Sequence, residues 1–229
     1  MVMFDSPYFG LVISILFFEL GIIINKKTKI AILNPLLISI IAIIGVLQFF
    51  DIDFETYNQG GSLISFLLGP ATVVLAVPLY KQIKLVKKNF VSILFGILLG
   101  SSSAVISTWY LSSWFGLSEE IRLSLVPKSV TTPIGIEISD SIGGIPSITI
   151  VGIVIAGILG AVIGPYVLKL FKIDDPIAVG ISFGTSSHGM GTTKAIELGE
   201  TEGAMSGIAI GIAGLISVMI IPIILKFIT

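Results

Sequence analysis

Two polar stretches containing glycine and proline interrupt a chain that is otherwise apolar enough to lie in a membrane. They are VPKSVTTPIGIEISDSIGG at 126–144 and GISFGTSSHGMGTTKAIELGE at 180–200. In hydrocarbon an unpaired backbone N–H or C=O is costly, so non-helical backbone is stable there only where protein buries it or where it lines a wet cavity. The two stretches therefore predict a solute pathway inside a membrane protein.

Composition sets the class of protein. Hydrophobic residues make up 54% of the 229 residues and charged residues 12%, about half the charged fraction of a soluble domain. The net charge of -1 gives no basic surface for nucleic acid. The chain has no cysteine, and its one histidine lies outside any zinc-binding spacing, so we predict no metal and no cofactor. The composition predicts an all-α polytopic membrane protein embedded in a lipid bilayer.

Six apolar segments approach the length of about 20 residues that crosses a bilayer. They are 8–25, 30–50, 62–80, 90–115, 146–171 and 203–226. The polar stretches, taken as 121–143 and 177–200, are either re-entrant hairpins or kinked full spans, which gives up to eight crossings. We predict one membrane domain, 1–229, with scaffold spans in 1–117 and a transport unit in 118–229.

Basic residues in short loops predict the orientation of the chain. The lysines at 26–29 and 81–88 place those loops in the cytoplasm and the N-terminus outside the inner (plasma) membrane. Lys169 and Lys172 belong on the cytoplasmic side too, which requires 121–143 to return to the side from which it entered. This favours hairpins of opposite orientation, as in secondary transporters built from inverted repeats.

The polar residues of the two stretches predict an anion site. The N-terminus of a helix that is broken inside the membrane presents free N–H groups and the positive end of the helix dipole, and hydroxyl groups add further donors. The candidate substrate-binding residues are Lys128, Ser129, Thr131, Thr132 and Pro133, then Thr185, Ser186, Ser187, His188, Gly189, Gly191, Thr192 and Thr193, and in a weaker third break Gly69, Pro70 and Thr72.

Two ionisable residues are candidates for proton coupling, His188 and Glu137. A histidine ordinarily changes charge near pH 6.5, although a lone histidine can also be a structural hydrogen-bonding residue. Lys128 either pairs with Glu137 or a substrate carboxylate, or extends its ammonium group towards the nearer membrane surface. No G-x-S-x-G turn accompanies Ser186 and Ser187, so we predict no enzyme.

Three separated motifs resemble the LrgB/CidB family of bacterial membrane proteins. They are LLGPATVVLAVPLY at 67–80, PKSVTTPIGIEIS at 127–139 with GGIPS at 143–147, and GTSSHGMGTTKAIELGETEGAMSG at 184–207. The resemblance implies a small holin-like membrane partner of the LrgA/CidA type. It also implies two functions: antiholin-like control of murein hydrolases and cell lysis, and transport of small monocarboxylates. A plastidial glycolate/glycerate translocator is similar to the family as well.

The polar stretches favour transport over regulation. We predict a secondary transporter of a small organic anion such as pyruvate or glycolate, working by alternating access and coupled to protons. The alternative is an antiholin-like regulatory subunit of a holin-like partner. The glycine-rich spans 151–165 and 207–216 predict close helix packing and allow a homo-oligomer such as a dimer.

Overall fold

The computed structural model describes residues 6–28, 33–67 and 83–228, together with Pro70 and Tyr80. In these residues it contains helices and no strand. The helices are α1 Phe9–Thr28, α2 Pro35–Phe49, α3 Phe54–Phe66, α4 Ile83–Lys88, α5 Phe90–Trp114, α6 Glu119–Leu125, α7 Thr132–Ser141, α8 Pro146–Leu170, α9 Pro176–Leu198 and α10 Glu200–Ile228. Four of them, α1, α5, α8 and α10, are long and apolar enough to cross a membrane. The predicted all-α membrane fold is confirmed at this level.

The long helices coincide with four of the predicted spans: 8–25, 90–115, 146–171 and 203–226. Helix α2 is apolar but has only 15 residues, fewer than the predicted 30–50 segment. The predicted 62–80 segment overlaps the end of α3, and most of it lies outside the described residues. The number of crossings and the N-terminal orientation stay predictions.

Helices α1 to α3 belong to a first compact unit, residues 1–74. Glycines let α1 and α3 approach closely, since a Cβ on Gly60 would lie 2.6 Å from Leu11 N. Ser14 Oγ lies 2.8 Å from the Tyr57 hydroxyl across the same interface. Asp53 caps α3 by accepting from Thr56 N at 2.8 Å, and this bond lowers the pKa of the Asp53 carboxyl. Small residues thus allow α1 and α3 to pack closely, and the Asp53 cap stabilises the beginning of α3.

The second compact unit, residues 75–229, holds α4 to α10. Ile93 and Ile97 of α5 pack in a buried cluster with Met205 and Ala209 of α10. A second buried cluster joins the later part of α5 to the chain around α6 and α7 and to the end of α10; its members include Val105, Trp109, Val126, Val130, Ile138, Ile221 and Leu225. Through the two clusters α5 packs against α10, and the first polar stretch packs against both helices.

Helix α9 also packs closely against α10. A Cβ on Gly180 would lie 2.6 Å from Met205 Cβ, and one on Gly184 would lie 2.7 Å from Ala209 Cβ. The same Gly184 position touches the Ser206 carbonyl oxygen of α10. Any side chain at these two positions would meet backbone atoms of α10. Glycine is therefore required there for close packing of the helices, and not for its conformational freedom.

Candidate functional site

The first polar stretch reverses the direction of the chain between α6 and α7. Residues 126–131 form the turn, and α6 and α7 have only 7 and 10 residues. After the turn, a Cβ on Gly135 would lie 3.5 Å from Pro127 O, and one on Gly144 would lie 2.9 Å from Ser124 N. The returning chain therefore runs alongside the entering chain. We call α6, residues 126–131 and α7 the first hairpin.

A buried network of hydroxyl groups holds the open end of the first hairpin to α8. Ser124 Oγ accepts from Ile145 N at 2.7 Å, just before α8 begins. Thr149 Oγ1 donates to Ser124 O at 2.8 Å and lies 2.7 Å from Ser139 Oγ of α7. Ser124, Ser139 and Thr149 are all fully buried. These bonds place the beginning of α8 beside the open end of the hairpin.

The second polar stretch reverses the chain inside α9. His188 has φ 41° and ψ -134°, which breaks the helix into a first half, 176–187, and a second half, 189–198. A Cβ on Gly191 would lie 2.5 Å from Phe183 O, although the two residues are eight positions apart. Val179, Phe183 and Ala195 share one buried cluster. In a straight helix residues eight apart are separated by about 12 Å, so the two halves run antiparallel. We call them the second hairpin.

Hydrogen bonds fix the turn of the second hairpin. His188 is 6% exposed, and its Nε2 lies 2.9 Å from Ile153 O of α8. A carbonyl oxygen only accepts, so this bond requires the hydrogen on Nε2. Thr192 Oγ1 donates to His188 O at 3.0 Å and lies 2.8 Å from Ser206 Oγ of α10. The imidazole is thus a buried donor that ties the turn to α8.

The turns of both hairpins meet at the same part of α8. A Cβ on Gly152 would lie 3.8 Å from Lys128 Cβ in the first turn, while the next residue, Ile153, bonds to His188 in the second. A Cβ on Gly157 would lie 2.7 Å from His188 Nε2. Lys128 and His188 therefore lie against neighbouring residues of α8.

The two hairpins reach this point from opposite ends of α8. The first lies beside residue 145 at its open end, and residues 145 to 153 span about 12 Å of helix at 1.5 Å per residue. The second approaches from the other end, where a Cβ on Gly164 would lie 2.6 Å from Phe183 and where Leu168 and Val179 share a cluster. Their polar turns therefore lie together in the interior of this unit.

The predicted residues of the first stretch lie at or next to its turn. Lys128 is half-buried, and its Nζ donates to Ser129 Oγ at 3.1 Å. Thr131 is the N-cap residue of α7 but its side chain makes no capping bond, and Thr132 and Pro133 form the first turn of that helix. The N-terminus of α7 thus lies at the turn of the first hairpin.

Glu137 lies apart from the other predicted residues of the first stretch. It is exposed on α7, and among the described residues Lys128 forms no ion pair with it or with another carboxylate. Glu137 is therefore not the partner of the ammonium group in this structure.

The second stretch divides its predicted residues between buried and exposed positions. Buried residues are Thr185, Ser187, His188, Gly191 and Thr192, and exposed residues are Ser186, Gly189 and Thr193. In the weaker third break Pro70 is exposed, while Gly69 and Thr72 lie outside the described residues. The contact of any of these residues with a solute stays a prediction.

Two polar groups that the motifs did not single out are also buried. Arg122 of α6 lies with its guanidinium 4.4 Å from the centre of the Trp109 ring, and its Nε is buried without a hydrogen-bond partner. Ser101 Oγ of α5 is buried and unpaired as well. In the sequence, the only indication of the buried Arg122 is its position between apolar neighbours in IRLSL at 121–125. With Lys128, it gives the first hairpin two cations that pair with no carboxylate among the described residues.

Comparison with known proteins agrees with the motifs. The sequence profile of the LrgB-like family matches residues 14–227. The protein named antiholin-like protein LrgB in Bacillus mycoides (strain KBAB4) is 38% identical over 224 residues, which covers 97% of both chains. The proteins of the same name in Bacillus cereus (strain B4264) and Bacillus anthracis (strain CDC 684 / NRRL 3495) match to the same extent. No solved structure matches. On the family profile and this identity along almost its whole length, the chain belongs to the LrgB family.

Proposed function

We propose that this chain is an antiholin-like protein of the inner membrane that acts with a holin-like partner of the LrgA/CidA type. The supporting observation is the similarity to proteins named antiholin-like over 97% of both chains, with no large insertion or missing part. This observation favours the regulatory function over the predicted transport function.

Removal of the protein from its host is expected to increase autolysis, since an antiholin-like protein restrains the holin-like partner. The measurement is the loss of optical density after a mild detergent challenge, together with murein hydrolase activity in the medium. Expression of the wild-type chain from a plasmid should restore the slower lysis. Unchanged lysis and hydrolase activity in the deletion strain would contradict the regulatory function.

A second candidate function is transport of small monocarboxylates, and the convergence of the two hairpins favours it. Their turns bring the N-terminus of α7, the N-terminus of the second half of α9, and Lys128 into one region. Helix N-termini and an ammonium group attract a carboxylate. Oppositely directed broken helices that meet near the middle of the membrane are typical of secondary transporters.

The two functions are compatible, because a changed flux of carboxylates across the membrane can itself alter autolysis. In this mechanism the hairpins of residues 118–229 carry the anion by alternating access, and His188 is the candidate proton carrier. If the second hairpin moves away from α8 in this mechanism, the Nε2–Ile153 bond of His188 breaks, which would couple the turn of that hairpin to the charge of the imidazole.

Purified protein in liposomes is expected to take up labelled pyruvate above the level of empty vesicles, and faster with an inward proton gradient. The Thr131→Val, Thr132→Val double variant keeps the side-chain shapes and removes two hydroxyl donors, so we expect a higher half-saturation concentration. Thr108→Val is the matched control, since that hydroxyl bonds to Ala104 O of its own helix. Absence of uptake, both alone and with the holin-like partner added, would exclude transport of pyruvate.

A further inference from the structure

Glu19 is a charged residue inside the first candidate membrane span, α1. It follows Phe9 by ten residues and precedes Lys26 by seven, which places it about 15 Å and about 10 Å from them along the helix axis. The hydrocarbon core of a bilayer is about 30 Å thick, so a helix that crosses it holds Glu19 well below either surface. A lysine side chain is long enough to extend from such a position to the surface, but a glutamate side chain is shorter.

Glu19 lies on an exposed face of α1. Residues that are three, four or seven positions apart share one face of a helix. The exposed residues that meet this spacing, which we call the Glu19 face, are Val12, Ile15, Leu16, Glu19 and Ile23. The opposite side of the helix is packed, since Gly10 lies against α3 and Gly21 against α2. Only 11% of the most apolar part of α1 is buried, against 22–39% in the other three candidate spans, so α1 has the most surface left for another molecule.

The carboxylate of Glu19 forms no ion pair with the part of the chain that the structure describes. Between described residues the one ion pair joins Lys194 to Glu197. Charged side chains inside a membrane almost always pair with another group or face water, because lipid chains offer neither. The Glu19 face therefore indicates contact with a second molecule that supplies the missing partner.

The charge of Glu19 determines which kind of molecule fits this face. A second copy of the chain, related by a two-fold axis, would present the same face and bring two Glu19 carboxylates together. Like charges repel strongly where no water screens them, so a second copy does not fit. A transmembrane helix with a basic side chain at the same depth does fit, because it neutralises the carboxylate while apolar side chains pack around the pair.

We propose that the Glu19 face is the docking surface for a transmembrane helix that carries a basic side chain within the membrane, and that this helix belongs to the holin-like partner. The proposal rests on the regulatory function and names the surface through which the partner binds. The carboxylate selects the partner by charge, and Ile15, Leu16 and Ile23 supply the packing around it.

The first test is co-purification of the tagged chain with the co-expressed holin-like protein of the same host, extracted in a mild detergent. Glu19→Gln keeps the size of the side chain and removes its charge, so we expect recovery of about tenfold less partner. Glu55→Gln is the matched control, because Glu55 is exposed in the first turn of α3 and loses the same charge outside the span. It should recover as much partner as the wild type. Equal recovery by Glu19→Gln and the wild type would overturn the proposal.

The stability of the same variant separates docking from a structural role. Without the partner, the Glu19→Gln chain is expected to melt no lower than the wild type, because the substitution removes an unpaired charge from the membrane span. A lower melting temperature would mean that the carboxylate supports the fold of this chain, and it would also overturn the proposal.

Photo-cross-linking in cells identifies the molecule that covers the face. With p-benzoylphenylalanine at Leu16, we expect an adduct with the mass of one chain and one holin-like partner. The same amino acid at Ile41, which is 62% exposed on α2, is the control and should give no such adduct. Addition of Glu19→Gln should weaken the Leu16 adduct by about tenfold. Size-exclusion chromatography shows that each variant is folded.

Three cross-linking results would overturn the proposal: an adduct of two copies of this chain, a cross-link within one copy, or no protein adduct at Leu16. The lysis assay is a separate measurement. A deletion strain that lyses normally would refute the regulatory function but not the docking of the partner. Conversely, if lysis depends on the chain while Leu16 gives no adduct with the partner, the docking surface alone is refuted.

Discussion

Gly184→Ala is expected to lower the stability of the protein by about 3 kcal/mol, near the upper end for overpacking in a tight core. The added Cβ would touch the Ser206 carbonyl oxygen and lie 2.7 Å from Ala209 Cβ. Backbone atoms cannot rotate away, so α9 and α10 must separate along their shared face. For a chain of this length the melting temperature should fall by about 6–12 °C. Thermal unfolding in detergent, followed by loss of the monodisperse peak, measures the change.

Gly211→Ala is the matched control for this prediction. Gly211 also lies in α10, but a Cβ there meets no atom within 4 Å. The same chemical change at this site should leave the melting temperature unchanged or slightly higher, because alanine favours helix over glycine by about 1 kcal/mol. Equal melting temperatures for the Gly184 and Gly211 variants would refute the close packing of α9 on α10.

Substitution of His188 is expected to reverse the usual stability order of alanine and glycine. The backbone at His188 has φ 41°, a conformation that costs a residue with a side chain about 1–3 kcal/mol and costs glycine little. Both His188→Ala and His188→Gly remove the bond to Ile153 O, so the difference between them reports the backbone alone. We expect His188→Gly to melt higher than His188→Ala, and both to fall below the wild type.

The control for His188 is an exposed helical site, Ser107 of α5. There Ser107→Ala should be more stable than Ser107→Gly by about 1 kcal/mol, the ordinary helix preference. If alanine were also the more stable residue at position 188, the sharp turn inside α9 would be wrong. In the transport assay both His188 variants should lose the response to a proton gradient. A gradient response that is unchanged in both would remove the imidazole from proton coupling.

The breaks in the helices could be predicted from sequence because proline and glycine act locally. Pro127 and Pro133 bracket the turn of the first hairpin, and the structure reverses the chain between them. The second turn is less local. Gly184, Gly189 and Gly191 marked the region, but the reversal occurs at His188, and Gly184 and Gly191 pack against backbone instead. Sequence spacing alone does not distinguish a glycine that turns the chain from one that lets another helix approach.

The site was harder to predict than the breaks because its partners lie far apart in sequence. Nothing local pairs His188 with Ile153, 35 residues away, or joins Thr149 to Ser124 and Ser139. The charge of Arg122 was also missed, since a single arginine in a short helix resembles a residue at the membrane surface. The unpaired hydroxyl of Thr185 is a property of packing that no residue pattern records.

The meeting of both hairpins on one part of α8 constrains how the chain can change in length. An extra residue between Thr149 and Gly157 would turn everything beyond it by about 100° and shift it by about 1.5 Å. Gly157 and Gly160 would then no longer face the second turn, while the first hairpin would remain bound to Thr149. The connection at 171–175 is exposed and has no such constraint. Among homologous sequences, insertions should therefore be absent from the middle of α8 and found in that connection.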